Sequence, residues 1–354
     1  MEERLHTLRK KMKQNNLGAV IINNKANRYY LSGFTGTDGQ ILITQTEQYI
    51  IADSRYFEQL RQQSANFTII DNRMAMNTAM KRLLSKIGEQ RIGIEADEMN
   101  VSEYLALSGA DGELVPIYNL IEQQRMIKDE EERNKIQHAA LIADETFNHI
   151  IKYIRPGMTE KQVANEIDQY GLKLGADAPA FETIVASGIR SALPHGHASE
   201  KVIQNGELII LDFGFEWRNY YSDITRTIAV GPVSKELRQI FDITLAAQKK
   251  AIQTCKKDVP LKSVDKVARD YIAKAGFGNN FLHGTGHGIG LTVHEYPLLN
   301  HDSDEQLQNH MTFTVEPGIY LEQKGGIRIE DDIWIDDDGV PVVMTKSPKE
   351  WIQL

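Results

Sequence analysis

The chain has 354 residues, of which 41% are hydrophobic and 25% are charged, and its formal net charge is −9. These values are typical of a globular protein with room for two domains, and no apolar run approaches the roughly 20 residues of a transmembrane helix. The acidic balance and the absence of any Lys/Arg-rich stretch argue against nucleic acid and against a membrane surface as partners.

Two further observations concern the cellular compartment in which the protein is expected. The first residues, MEERLHTLRKKMKQNN, lack the apolar core of a signal peptide, and their acids are unlike a transit peptide. Cys255 is the single cysteine, so no intrachain disulfide can form. We therefore expect a cytoplasmic protein.

The first third of the chain alternates predicted helices and strands. We predict helices at 2–15, 54–64, 75–87 and 100–109. We predict strands at 18–22, 41–44, 48–52, 67–70, 91–95 and 113–118, the second and third of them forming a hairpin. Asn100 is a suitable N-cap for the fourth helix. The pattern predicts an α/β domain over residues 1–124.

A long helix is predicted at 129–154, where apolar residues recur at three- and four-residue steps after an acidic start. We expect it to open a second domain, residues 125–354. This domain repeats itself, because residues 161–175 align with 262–276 at a constant offset of 101. In each half a longer helix precedes, at 129–154 and 234–255. Two similar halves predict a pseudo-twofold domain with its site where the halves meet.

Four acids of this domain lie in or beside apolar, strand-like runs, which is costly unless a cation meets them. Together with one glycine-flanked histidine they are the candidate ligands of a paired-metal site: Asp212, Asp223, His287, Glu316 and Glu330. Asp212 and Asp223 are expected on adjacent antiparallel strands, joined by the turn-like residues 216–221. Taken alone, each acid could also be an ordinary strand-end residue. A phosphate loop and an HExxH zinc site are disfavoured around His287, since the required flanking residues are lacking.

The motifs then resemble a known family. The segments that carry the resemblance run in order: FETIVASG, LPHGHAS, LDFG, YSDITRT, HGTGHGIGLTVHE, TVEPGIY and GGIRIEDD. They resemble the pita-bread metallopeptidase domain shared by methionine aminopeptidase, aminopeptidase P and prolidase. YYLSGFTGTDG and ADSRYFEQ resemble the creatinase-type N-terminal domain of the last two. The resemblance implies a mixed α/β (α+β) protein, in which a creatinase-like α/β domain is followed by a pseudo-twofold pita-bread domain.

The resemblance also implies the roles of individual residues. Asp223 and Glu330 would bridge two divalent ions, Asp212 would bind one ion, and His287 and Glu316 the other. The oxygen-rich ligand set favours Mn²⁺, with Co²⁺ or Zn²⁺ as alternatives. Glu316 would also shuttle a proton to the leaving nitrogen.

Further residues would surround the ligands. The histidines of LPHG, HGTG and TVHE would assist substrate binding and proton transfer: His195, His283 and His294. Arg328 would order the acids or bind substrate, although a structural ion pair is an equal reading. His197 is expected near the site entrance and not as a ligand.

The expected activity is hydrolysis of Xaa-Pro bonds by a cytoplasmic metallopeptidase. A methionine aminopeptidase-like enzyme, a creatinase and a catalytically inactive peptide-binding relative are the alternatives. The sequence does not separate prolidase, which cuts dipeptides, from aminopeptidase P, which also accepts longer peptides. The resemblance further implies a homodimer in which the N-terminal domain reaches a partner's site, and Asp38 and Arg55 are candidates for that contact.

Overall fold

The computed structural model describes residues 1–73 and 75–354. The chain forms two compact units, Met1–Arg125 and Met126–Leu354. Among the described residues, none of the helices combines the length and the apolar character needed to cross a bilayer.

The first unit is an α/β domain around one six-stranded sheet. Its helices are α1 (Glu2–Gln14), α2 (Lys25–Ser32), α3 (Phe57–Gln63), α4 (Met76–Ile87), α5 (Val101–Leu107) and α6 (Glu122–Arg125), and Ser54–Tyr56 is a 3₁₀ turn. Its strands are β1 (Ala19–Ile22), β2 (Gln40–Thr44), β3 (Gln48–Ala52), β4 (Thr68–Asp71), β5 (Arg91–Glu95) and β6 (Glu113–Ile117). The order is β4-β3-β2-β1-β5-β6. The pairs β1–β2 and β2–β3 are antiparallel and the others parallel.

Local signals explain most of these elements. The predicted hairpin forms with Ile41 opposite Ile50, and the strands present wholly buried residues such as Ile21 and Leu42 to the core. The side chain of Asn100 accepts a hydrogen bond from the backbone N–H of Glu103, as predicted for a cap. Helix α2 was not predicted.

The second unit holds the predicted repeat. Its helices are α7 (Glu130–Tyr153), α8 (Glu160–Lys173), α9 (Lys235–Thr254) and α10 (Leu261–Lys274), with 3₁₀ turns at Gly188–Ala192 and Gly278–Asn280. The first half contains strands β7 (Ala178–Pro179), β8 (Ile184–Ser187), β9 (Glu207–Phe213), β10 (Phe215–Trp217), β11 (Tyr220–Tyr221) and β12 (Ile224–Val230). The second half contains β13 (Gly286–Gly288), β14 (Glu295–Leu299), β15 (Thr312–Val315), β16 (Gly318–Leu321), β17 (Gly325–Arg328), β18 (Asp331–Ile335) and β19 (Pro341–Val343).

Each half packs a helix pair against a sheet. The orders are β12-β9-β8 in the first half and β14-β13-β15-β18-β19 in the second. Capping boxes start α7 at Asp129 and α8 at Thr159. Each half has its own apolar cluster, which includes Phe147 and Ile209 in the first and Phe241 and Phe313 in the second. The predicted pseudo-twofold mixed architecture is confirmed.

One local prediction needs correction. Residues 216–221 were expected to be a simple turn between the strands of Asp212 and Asp223. Instead, β10 and β11 form a hairpin, and β10 also pairs with β7. Arg218 and Asn219 make its tip with φ values of 51° and 66°. The excursion is longer than a turn, yet it still returns the chain so that β12 pairs antiparallel with β9.

Candidate metal centre

The four acids occupy equivalent places in the two halves. Asp212 is the penultimate residue of β9, and Asp223 directly precedes its antiparallel partner β12. Glu316 directly follows β15, and Glu330 directly precedes its partner β18. In both halves a hairpin separates the two acids, β10–β11 in the first and β16–β17 in the second. Each strand pair therefore delivers two carboxylates at one end.

His287 enters this cluster from β13. A Cβ on Gly286 would lie 1.9 Å from the Thr314 carbonyl oxygen, and one on Gly288 would lie 2.2 Å from that of Tyr296, so the flanking glycines permit a close approach. The Nδ1 of His287 donates to the Gly288 carbonyl oxygen at 3.1 Å. This bond leaves Nε2 as the free ligand atom. Nε2 lies 3.7 Å from Asp223 Oδ2 and 3.5 Å from Glu316 Oε1.

The carboxylates are arranged for a cation. One ligand atom each from Asp223, His287 and Glu330 lie within 4.8 Å of one another. Across the described chain, Oδ1 of Asp223 and Oε1 of Glu330 are buried atoms with no hydrogen-bond partner. Burial, and then repulsion by neighbouring carboxylates, raises the pKa of both groups well above the ordinary range. Unpartnered buried oxygens and crowded negative charge fit divalent cations in this place.

Arg328 links the acids of the two halves. Its Nη2 lies 2.5 Å from Asp212 Oδ2, and its Nε donates to Thr225 Oγ1 at 3.2 Å. The Thr225 hydroxyl in turn donates to Glu330 Oε2 at 2.5 Å. Arg328 is therefore an ion-pair partner of Asp212, which is one of the alternatives that the sequence offered. It holds one oxygen of Asp212, while Thr225 orients Glu330.

The three additional histidines surround the same cavity of about 430 Å³. The ring centroid of His294 lies 4.2 Å from that of His287. Burial, followed by the proximity of His287, lowers the pKa of His294 to about 4. His195 lines the cavity wall, and His283 lines it from the other half. Arg328 is the remaining predicted site residue, and it lines the cavity too.

A buried chain of hydrogen bonds fixes His283. Arg328 Nη1 donates to the Tyr320 hydroxyl at 2.8 Å, and this hydroxyl lies 2.9 Å from His283 Nε2. His283 Nδ1 lies 2.8 Å from the Gly284 carbonyl oxygen, which can only accept. The Tyr320 hydroxyl can then donate to Nε2 of a neutral imidazole. Burial lowers the pKa of His283 and favours this neutral form, whose proton the Gly284 contact places on Nδ1.

Several site residues were missed from the sequence. Tyr320 belongs to the quoted segment TVEPGIY and Thr225 to YSDITRT, but an isolated hydroxyl gives no spacing signal. Glu182 also lines the cavity and lies 3.3 Å from His197 Nδ1, with the side chains 73% and 55% exposed. His197 is therefore a mouth residue, as expected.

Comparisons with known proteins agree with this geometry. Residues 134–337 match metallopeptidase family M24, and residues 4–127 match the creatinase/prolidase N-terminal domain. The chain is 37% identical to a Xaa-Pro dipeptidase of Pyrococcus horikoshii, over 99% of both proteins. A solved Xaa-Pro dipeptidase from Bacillus anthracis is 42% identical with a TM-score of 0.97, covering 100% of this chain and 99% of that one.

A second solved structure carries a different activity in its name. The X-Pro aminopeptidase from Thermotoga maritima is 38% identical with a TM-score of 0.88, covering 98% of this chain and 100% of that one. The M24 match spans more than half of the chain, and these relatives match over nearly their whole length. The chain therefore belongs to metallopeptidase family M24, in the branch that carries a creatinase/prolidase N-terminal domain.

Proposed function

We propose that this protein is a metal-dependent exopeptidase that hydrolyses the Xaa-Pro bond of dipeptides or short peptides. The observation that carries the proposal is the group of four carboxylates, three of them buried, and His287 in one cavity, with two carboxylate oxygens left unpartnered. The full-length similarity to Xaa-Pro dipeptidases supports the substrate class. The creatinase/prolidase N-terminal match disfavours a methionine aminopeptidase-like enzyme. The complete ligand set disfavours an inactive relative.

Two divalent ions are the proposed cofactor. Asp212, Asp223, His287, Glu316 and Glu330, which all line one cavity, would hold them. One nitrogen and many oxygen ligands favour Mn²⁺, with Co²⁺ or Zn²⁺ as alternatives. When bound, such ions lower the pKa of water and polarise the scissile carbonyl.

The protein's own groups would orient substrate and move protons. Burial raises the pKa of Glu316, so its carboxyl can hold a proton and pass it to the leaving nitrogen. His294 is neutral near pH 7, and a neutral imidazole can donate one hydrogen bond to a substrate oxygen. His195 lines the same cavity and would contact the same substrate. Arg328 keeps Asp212 in place, and His283 is held through Tyr320.

A proline-specific site also has a physical rationale. Proline has no N–H and a fixed φ, so a peptide that ends in proline cannot pair along a strand edge as ordinary protease substrates do. A cavity lined by histidines and apolar residues such as Phe181 and Ile184 recognises shape without that pairing.

The decisive test is hydrolysis of matched peptides with Mn²⁺. We expect kcat/KM for Ala-Pro to exceed that for Ala-Ala by a large factor, and equal values would refute the proposal. Ala-Pro-Ala in the same assay separates a dipeptidase from an aminopeptidase. Asp223→Asn should lose activity and metal content together, whereas Asp242→Asn, at an exposed ion pair of α9, should lose neither.

We also infer a homodimer and a cytoplasmic location. The Arg55 side chain, paired with Asp53 at the start of a 3₁₀ turn, supports the first because it is 75% exposed and accessible to a partner. The buried free thiol of Cys255 supports the second.

A further inference from the structure

A single buried carboxylate binds both ends of the segment that carries His195. Glu160 is the first residue of α8, and its side chain is 0% exposed. It accepts hydrogen bonds from the backbone N–H and hydroxyl of Ser187 at 2.7 and 2.9 Å. It accepts the same pair from Ser199 at 3.1 and 2.6 Å. One side chain thus ties together the two ends of residues 187–199.

Arg190 extends this contact into the segment. Its Nε donates to Glu160 Oε2 at 3.0 Å, and its Nη2 donates to the His197 carbonyl oxygen at 2.6 Å. The Pro194 carbonyl oxygen accepts a hydrogen bond from Arg328 Nη1 at 3.1 Å. His195 therefore lies between two anchored backbone positions. The anchors are charged groups, whose hydrogen bonds are the strong ones.

The second half contains a similar device. Asp265 of α10 accepts from the Thr285 N–H and hydroxyl at 3.2 and 2.9 Å, and it pairs with Arg269 through two contacts of 2.9 Å. Arg269 donates to the carbonyl oxygens of Phe281 and His283 at 3.1 and 2.8 Å. In both halves a buried acid of the second helix and an arginine hold the backbone of a histidine-bearing segment. His195 and His283 themselves lie outside the strands, so side chains help to satisfy the backbone groups around them.

We propose that Glu160, acting with Arg190, is a positioning residue that sets the place of His195 in the cavity without contacting substrate. Asp265 and Arg269 do the same for His283. This inference rests on the proposed role of His195 in the reaction. A displacement of about 1 Å in a substrate-orienting group can cost about 10²-fold in rate. The effect of losing Glu160 should therefore appear in kcat and should depend on His195.

The test is a double-mutant cycle with Ala-Pro as substrate. Glu160→Gln should lower kcat by about tenfold to a hundredfold and leave the metal content unchanged. In a His195→Ala background the same change should have almost no further effect, because the residue that it positions is gone. In a His283→Ala background its effect should persist in full. Glu166→Gln on the same helix, whose partner is His149, is the matched control and should leave kcat unchanged.

Each outcome decides a different claim. If His195→Ala is impaired but the effects of Glu160→Gln and His195→Ala simply multiply, the positioning role is overturned and the proposed function stands. A near-native kcat for His195→Ala alone overturns the role of His195 and the positioning claim with it. If Glu160→Gln does not fold, Arg190→Gln replaces it in the cycle. The Arg190 side chain is 28% exposed, and its replacement removes the hydrogen bonds to both Glu160 and His197.

Discussion

Replacing Glu330 with glutamine should shift stability in opposite directions in the metal-free and metal-loaded protein. Glu330 is 2% exposed, with one oxygen bonded to Thr225 and the other unpartnered. The amide can keep the Thr225 bond and removes one charge from the cluster. At an effective dielectric constant of 20, two unit charges at the 4.8 Å limit that encloses these ligand atoms repel by about 3.5 kcal/mol. The metal-free cluster takes up protons, which reduces the net repulsion.

The metal-free variant should therefore gain about 1–3 kcal/mol at pH 8, which raises Tm by several degrees. The sign follows from the raised pKa of Glu330. Ionisation of Glu330 in the folded protein opposes folding. The resulting loss of wild-type stability is absent below the pKa of the unfolded chain and grows as the pH rises toward the pKa of the folded protein. The advantage of the variant should shrink at pH 5.

Bound metal should reverse this order of stability, so that the wild type becomes more stable than Glu330→Gln. Free ion at 100 times Kd stabilises a one-site protein by about 2.7 kcal/mol, which corresponds to about 5–11 °C in Tm for a domain of this size. Glutamine is a poor bridging ligand, so the variant should gain much less. Calorimetry in EDTA and in excess Mn²⁺ measures both states, with Asp242→Asn as the control. An equal metal-induced rise in Tm for Glu330→Gln and wild type would refute the ligand assignment.

Three further predictions address the histidines and the assembly. His195→Ala and His294→Ala should fold and keep their metal but lose about 2–4 kcal/mol of transition-state stabilisation, measured as kcat/KM; near-native turnover in both would make them structural. The pKa of His294 is lowered to about 4 in the folded protein, so on acidification the unfolded chain takes up this proton first, near pH 6.5. The stability that neutral His294 contributes is therefore fully present above pH 6.5 and is lost as the pH falls toward 4. Urea unfolding of the metal-free protein at pH 7 and pH 5 measures this loss of stability, which should be smaller for His294→Asn than for wild type. An equal loss in both proteins would contradict the lowered pKa of His294. Sedimentation at micromolar concentration should show a dimer, and a fully active monomer would exclude it.

Local patterns explain how much of the fold was predictable. Strands such as Ala19–Ile22 and Arg91–Glu95 are short apolar runs bounded by polar or glycine residues, and the observed bounds differ little from those predicted. Acidic or capping residues mark the starts of α7 and α8. The repeated helix pairs followed from residue identities at a constant offset. The family resemblance, and with it the pita-bread architecture, is confirmed.

Tertiary contacts explain what was missed. Helix α2 buries Asn27 and Arg28 beside Ala26, Tyr30 and Leu31, so its buried face is part polar and gives a weak apolar pattern. Its only local signals were the Asn24 cap and Gly33, whose φ is 74°. The hairpin β10–β11 depends on pairing with β7, far along the chain. Tyr320 becomes a site residue only because β16 lies beside β17, which carries Arg328.

The site shows why the two halves must act as one unit. Each half supplies two carboxylates from the end of one strand pair. Neither half alone supplies enough positive charge to balance its two carboxylates. Direct bonds cross the joint: the Glu330 N–H donates to the Thr225 carbonyl oxygen at 3.1 Å, and the Asp223 N–H donates to Asp332 Oδ2 at 3.1 Å. Arg328 of the second half holds Asp212 of the first. Because Asp212, Asp223 and Glu330 each bond to a group from the other half, a substitution at one of these acids should disturb both proposed metal positions. Stepwise loss of one ion with full retention of the other, in Asp223→Asn or Glu330→Gln, would contradict this coupling.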